Sequence, residues 1–167
     1  MTLETTDAAL REGLLASLAV PRWVEDVASH APFDSVEELL LVAYTEATPL
    51  ASDEIAPAIA HHPRIGEKPV GEGTSQAFSR AEQGDATDLA DELAAGNRAY
   101  EQRFGRVFII RAAGRTRAEI LAELERRLTL DDATELVIVG EQLRDIALLR
   151  LEKLFGDPAE TTEGSTA

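Results

Sequence analysis

Apolar side chains recur along most of this chain at intervals of three and four, the spacing of a helix buried on one side. Behind Thr6, a residue suited to cap a helix, Leu10, Leu14, Leu15 and Leu18 follow that period. Pro21 opens a second short segment as a first-turn proline, with Trp23, Val24 and Val27 facing inward and Pro32 marking its limit. Ser35 and Glu38 make a capping-box pattern before Leu39, Leu40, Leu41, Val42, Ala43 and Tyr44, a run apolar on nearly every side. The pattern predicts a central helix there, closed by Thr48-Pro49.

A fourth helix, capped by Ser52 or Asp53, turns Ile55, Ala58 and Ile59 inward. It ends near His62, because a residue before proline is pushed out of the helical region. The loop from Arg64 to Gly73 is polar and glycine-rich, and Thr74 or Ser75 begins a helix carrying Phe78, Ser79 and Glu82. Thr87 starts a longer helix through Leu89, Leu93, Asn97, Tyr100 and Phe104, stopped by Gly105. Val107 to Ile110 is too short to read as a strand alone. Thr116 and Glu119 box a helix with Ile120, Leu121, Leu124 and Leu128 inward, and a final helix from Asp132 aligns Leu136, Val139, Leu143, Ile146, Arg150 and Leu154. The expectation is an all-α single domain of about eight helices over residues 1–156, followed by a small, acidic and disordered tail at 157–167.

Charge and composition narrow the function. Acidic side chains outnumber basic ones 31 to 16, so a nucleic-acid backbone or an anionic membrane is an unfavourable partner. An anionic substrate would need a particular arginine to supply local positive potential. With no cysteine there is no disulfide, thiol nucleophile or thiolate metal site. The N-terminus lacks the basic start and apolar run of a signal peptide, and no stretch approaches a bilayer span, which points to a soluble cytoplasmic protein.

Reactive side chains concentrate between His61 and Gln83. His62, fixed by Pro63 at a helix exit, is suited to give or take a proton near neutral pH, whereas His61 and His30 read as structural or solvated. Ser79, Glu82 and Gln83 fall on one side of a helix; that side is either a solvated face or a set of partners for amide groups of a ligand. Arg150 stands where the last helix otherwise offers Leu and Ile. Either it meets a carboxylate, from Glu82 or a ligand, or its stem packs while its head reaches solvent. Neither HxH nor HExxH occurs, no phosphate-loop pattern is present, and the glycines fit no nucleophile elbow. Acid/base chemistry without a cofactor is what remains.

Taken together, His62-Pro63, Ile65-Gly66-x-Lys68, Ser79-x-x-Glu82-Gln83, Asn97-x-x-Tyr100-x-x-Arg103-Phe104-Gly105, Phe108-Ile109-Ile110, Gly114-Arg115-Thr116 and Arg150-Leu151 resemble the OHCU decarboxylase family of urate degradation. The resemblance implies an all-α homodimer that converts 2-oxo-4-hydroxy-4-carboxy-5-ureidoimidazoline to (S)-allantoin and carbon dioxide without metal or organic cofactor. By the same resemblance the catalytic His falls on His62, with Glu82 and Ser79 as the family's Glu and Ser and Arg150 as its C-terminal-helix Arg. Backbone amides near Ile109 and Ile110 would hold a ring carbonyl, and the motif residues Pro63 and Gln83 join the substrate-binding set. Arg64-Ile65 and Arg111 depart from the common pattern. Two other readings stand beside this one: hydrolysis of a neighbouring ureide, which would favour additional His or metal ligands, and a non-catalytic helical interaction module.

Overall fold

The computed structural model describes residues 3–62 and 89–156. Among them the regular structure is entirely helical, with seven helices and no strand. They are α1 (Asp7–Ser17), α2 (Pro21–Ala28), α3 (Val36–Glu46), α4 (Ser52–Ile59), α5 (Ala90–Phe104), α6 (Arg117–Arg127) and α7 (Asp132–Phe155). The helix expected to carry Ser79 and Glu82, the start at Thr87 and the tail from 157 lie outside the described residues.

Local chemistry accounts for most boundaries. The Thr6 hydroxyl accepts from the Ala9 amide at 3.1 Å, and the Thr116 hydroxyl from the Glu119 amide at 3.1 Å while the Glu119 carboxylate accepts from the Thr116 amide. Ser35 caps α3 by accepting from Glu38, but the Glu38 carboxylate takes the Asp34 amide, so the second half of that box shifts by one residue. Gly105 ends α5 in the left-handed region at φ 72°, where a side chain would be strained. Neither Ser52 nor Asp53 caps α4. That role passes to Glu54, whose carboxylate accepts from the Ala51 amide at 2.9 Å and also receives Arg22 at 2.8 and 3.0 Å. One side chain thereby closes the start of α4 and ties it to α2.

The central element is α7, against which α1, α3 and α4 pack, while α5 and α6 pair with each other. The principal core gathers Leu10, Leu14, Trp23, Leu39, Ile55, Ile59, Val139, Leu143, Ile146 and Leu151; a smaller one joins Leu93, Tyr100, Phe108, Ile110, Ile120 and Leu124. The run in α3 is not central. Leu39 and Ala43 are its fully buried residues, and Leu41 and Tyr44 are exposed, with the Arg144 guanidinium 4.5 Å from the Tyr44 ring centroid. Leu15 and Leu154, expected inward, are exposed as well. No helix among the described residues is long and apolar enough to cross a membrane.

Candidate functional site

His62 sits where α4 runs out. After Ile59 the chain closes one more turn, with the His61 amide bonded to the Ala58 carbonyl and the His62 amide to the Ile59 carbonyl at 2.9 Å. Ile55, Ala58 and Ile59 anchor that helix in the core, so the imidazole is carried on a fixed stem. Burial pushes its pKa down to about 3, assisted by the positive charge of Arg150 and by His61. A histidine held neutral at working pH keeps a free ring nitrogen to accept a proton, while its depressed pKa makes it a weaker base than an ordinary imidazole.

Arg150 is drawn inward rather than outward. It lies on the buried face of α7 beside Ile146, Ala147 and Leu151 and is 1% exposed, so its head does not reach solvent. Its Nη1 donates to the Ser17 carbonyl at 3.4 Å. Ser17 is the last residue of α1, where the helix presents unsatisfied carbonyls and the negative end of its dipole, a suitable neighbour for a buried cation. Its own hydroxyl donates to the Gly13 carbonyl at 2.7 Å.

Ile109 and Ile110 lie in the irregular segment between α5 and α6, each 3% exposed. Their side chains part company: Ile109 enters the principal core with Ile59 and Ile146, and Ile110 the smaller one. The segment between them is therefore clamped from both sides. The Arg127 Nη1 donates to the Ile109 carbonyl at 2.7 Å, and the Arg111 amide donates to the Gln142 side-chain oxygen at 2.9 Å. Arg111, whose side chain departs from the family pattern, is exposed and contributes its backbone here.

Arg127, Glu135 and Gln142 are what a reading of the pattern missed. Arg127 and Glu135 form a fully buried ion pair, with Nε at 2.8 and 3.0 Å from the two carboxylate oxygens and a further bond from Nη2. The Tyr100 hydroxyl donates to the same carboxylate at 2.5 Å, and burial raises its pKa well above the ordinary value. The available signal was spacing, since Arg127 falls three residues after Leu124 on the inward stripe of α6.

Of the expected site residues, then, the fold brings His62 and Arg150 within electrostatic reach and sets the Ile109 side chain in the principal core. Pro63, Ser79, Glu82 and Gln83 lie outside the described residues. Among the described residues no cluster of His, Asp or Glu is placed to hold a metal ion.

Comparison with known proteins bears on this arrangement. The family model for OHCU decarboxylase matches residues 4–152. The uric acid degradation bifunctional protein TTL of Arabidopsis thaliana is 36% identical over 110 residues, 62% of this chain and 34% of that protein, so the chain spans about a third of that relative's length. The 2-oxo-4-hydroxy-4-carboxy-5-ureidoimidazoline decarboxylase of Mus musculus is 32% identical over 136 residues, 77% of this chain and 75% of the mouse protein. A crystal structure of OHCU decarboxylase in the presence of (S)-allantoin superposes with a TM-score of 0.71 at 27% identity, covering 92% of this chain and 100% of that one.

Proposed function

Because the chain belongs to the OHCU decarboxylase family, we propose that it decarboxylates 2-oxo-4-hydroxy-4-carboxy-5-ureidoimidazoline to (S)-allantoin, with His62 as the group that moves the proton. The observation that carries this reading is a half-buried imidazole at the exit of α4 whose proton affinity is depressed by burial and by the buried Arg150 guanidinium on α7. Such a pair is costly for a merely structural purpose, since an apolar pair would fill the same space without desolvating a charge.

The substrate supplies its own electron sink. Its carboxylate is attached to ring position 4, next to a ring C=N at position 5. As the bond to the carboxylate breaks, the electron pair forms a double bond between positions 4 and 5 and displaces the C=N electrons onto nitrogen. The hydroxyl at position 4 then gives up its proton and becomes the ring carbonyl, while position 5 gains a proton. Carbon dioxide is the leaving group, one proton is taken up per carboxylate lost, and no redox change occurs.

His62 accepts the hydroxyl proton as a neutral base. Arg150 opposes accumulation of positive charge on that imidazole and offers a fixed cation for the anionic substrate, in a protein whose net charge of −15 otherwise repels it. Glu82 and Ser79, with Gln83 and Pro63 beside them, are assigned to the ureido and ring amides, and the amides near Ile109 and Ile110 to the ring carbonyl. Protonation from one face gives the S product. We also assign the chain a homodimeric state on the strength of the family.

The experiment is direct. Purified protein added to freshly generated substrate should produce an optically active solution of (S)-allantoin, followed by circular dichroism. Accumulation of racemic allantoin at the rate of buffer alone would overturn the assignment. Activity on 5-hydroxyisourate instead would favour the hydrolytic alternative.

A further inference from the structure

We infer that Gln142 and Arg127 are positioning residues that set the backbone at Ile110 for ligand binding, the one through the Arg111 amide and the other through the Ile109 carbonyl. This rests on the proposed role of the Ile109 and Ile110 amides as donors to the substrate ring.

The geometry is specific to one residue. The Ile109 carbonyl belongs to the peptide that precedes Ile110, and the Arg111 amide to the peptide that follows it. Arg127 fixes the first at 2.7 Å and Gln142 the second at 2.9 Å. Both peptide planes around the Ile110 Cα are thus held by side chains from other elements, α6 and α7. Since N–H and C=O point in opposite directions across a trans peptide, drawing the Ile109 carbonyl toward Arg127 turns the Ile110 N–H away from it.

A buried irregular segment needs partners for its backbone polar groups. Phe108, Ile109 and Ile110 are all within 3% exposure, yet among the described residues neither the Ile109 nor the Ile110 amide donates to a protein acceptor. The two groups left over are those a ring carbonyl would use. A charged donor on the Ile109 carbonyl also polarises that peptide and strengthens the Ile110 N–H as a donor.

Arg127 is itself prevented from moving. Glu135 receives its Nε and Nη2, Tyr100 completes the carboxylate, and the guanidinium carbon lies 4.6 Å from the Phe108 ring centroid. Only Nη1 is turned to the 109–111 segment. A fully buried ion pair is an expensive way to fill a core, and its presence is explained if its output is the direction of one peptide.

The test uses the full chain, (S)-allantoin as the probe and amide NMR as the reporter. In the unaltered protein, titration with (S)-allantoin should shift the Ile109 and Ile110 amide resonances. Gln142→Leu, which keeps the bulk but removes the acceptor, should bind at least tenfold more weakly and lower kcat/KM by a similar factor, with its melting temperature little changed. Gln142→Glu, which retains an acceptor, should stay within about threefold of the parent in both. The paired change Arg127→Met with Glu135→Leu preserves an apolar core and should show the same loss of binding in a folded protein. If Gln142→Leu and the paired variant titrate and turn over like the parent, the positioning role is wrong although the amide contacts stand. If the parent itself binds (S)-allantoin with no shift at Ile109 or Ile110, the amide contacts are wrong, and the inference falls with them.

Discussion

The Arg150 guanidinium on α7 stands close enough to His62 at the end of α4 for its buried charge to oppose protonation of the imidazole. Two elements far apart in sequence therefore set one proton affinity, with burial as the larger cause and the arginine second.

The pH profile follows from that relationship. The kcat/KM of the free enzyme should show no acidic limb from His62 until pH falls toward about 4, because the imidazole, held at about 3, stays neutral above that. Arg150→Met removes a positive neighbour, so the limb should move up in pH. A parent limb near pH 6.5 would mean that His62 titrates as an ordinary histidine.

Stability should carry the same signature. The folded pKa of His62 lies below the ordinary unfolded value of about 6.5, so the unfolded chain takes up a proton that the native protein resists. The contribution is fully present above about pH 6.5 and declines as pH falls toward 3. Denaturant titrations of His62→Gln should therefore give a shallower loss of stability than the parent between those limits, and an identical slope would contradict the depressed pKa.

Breaking the Arg127–Glu135 pair from one side should be severe. Glu135→Ala strands a fully buried guanidinium and an unsatisfied Tyr100 hydroxyl, at a cost of about 3–5 kcal/mol. At roughly 2–4 °C per kcal/mol for a chain of this size, calorimetry should register a fall in Tm on the order of 10 °C. A change of one or two degrees would show that the pair is not desolvated in solution.

The contact between α5 and α6 depends on a missing side chain. A Cβ at Gly96 would come within 2.3 Å of the Leu124 Cδ2 and 3.3 Å of its Cγ, and Leu124 is fully buried with no room to retreat. Gly96→Ala should cost about 1–3 kcal/mol by overpacking, despite the better helix propensity of alanine. Unfolding in urea will decide the sign.

How far the amino-acid pattern reached can be seen in particular residues. Helix ends were legible where a side chain caps them, as at Ser35 and Thr116, or where a glycine takes the left-handed conformation, as at Gly105, because those features are local. Burial was legible less well. The apolar run of α3 looked central, yet Leu41 and Tyr44 face outward, since a helix at the margin of a core can afford apolar residues on its open side. Arg150 stood out against Leu and Ile, and its head is indeed buried, although its carbonyl partner at Ser17 comes from a helix more than a hundred residues earlier. The Arg127–Glu135 pair was not legible as a pair: spacing sets Arg127 on the inward stripe of α6, but Glu135 resembles an ordinary first-turn residue and only the fold brings the two together. For Pro63, Ser79, Glu82 and Gln83 the expectation remains that of the sequence.

The most direct measurement is the stereoselective rate of His62→Ala. General acid/base assistance typically contributes ~10²–10⁴-fold, so circular dichroism should show (S)-allantoin formation slowed by at least about a hundredfold in a protein that still folds. Formation of (S)-allantoin by that variant at the parent rate would contradict the central role given to this imidazole.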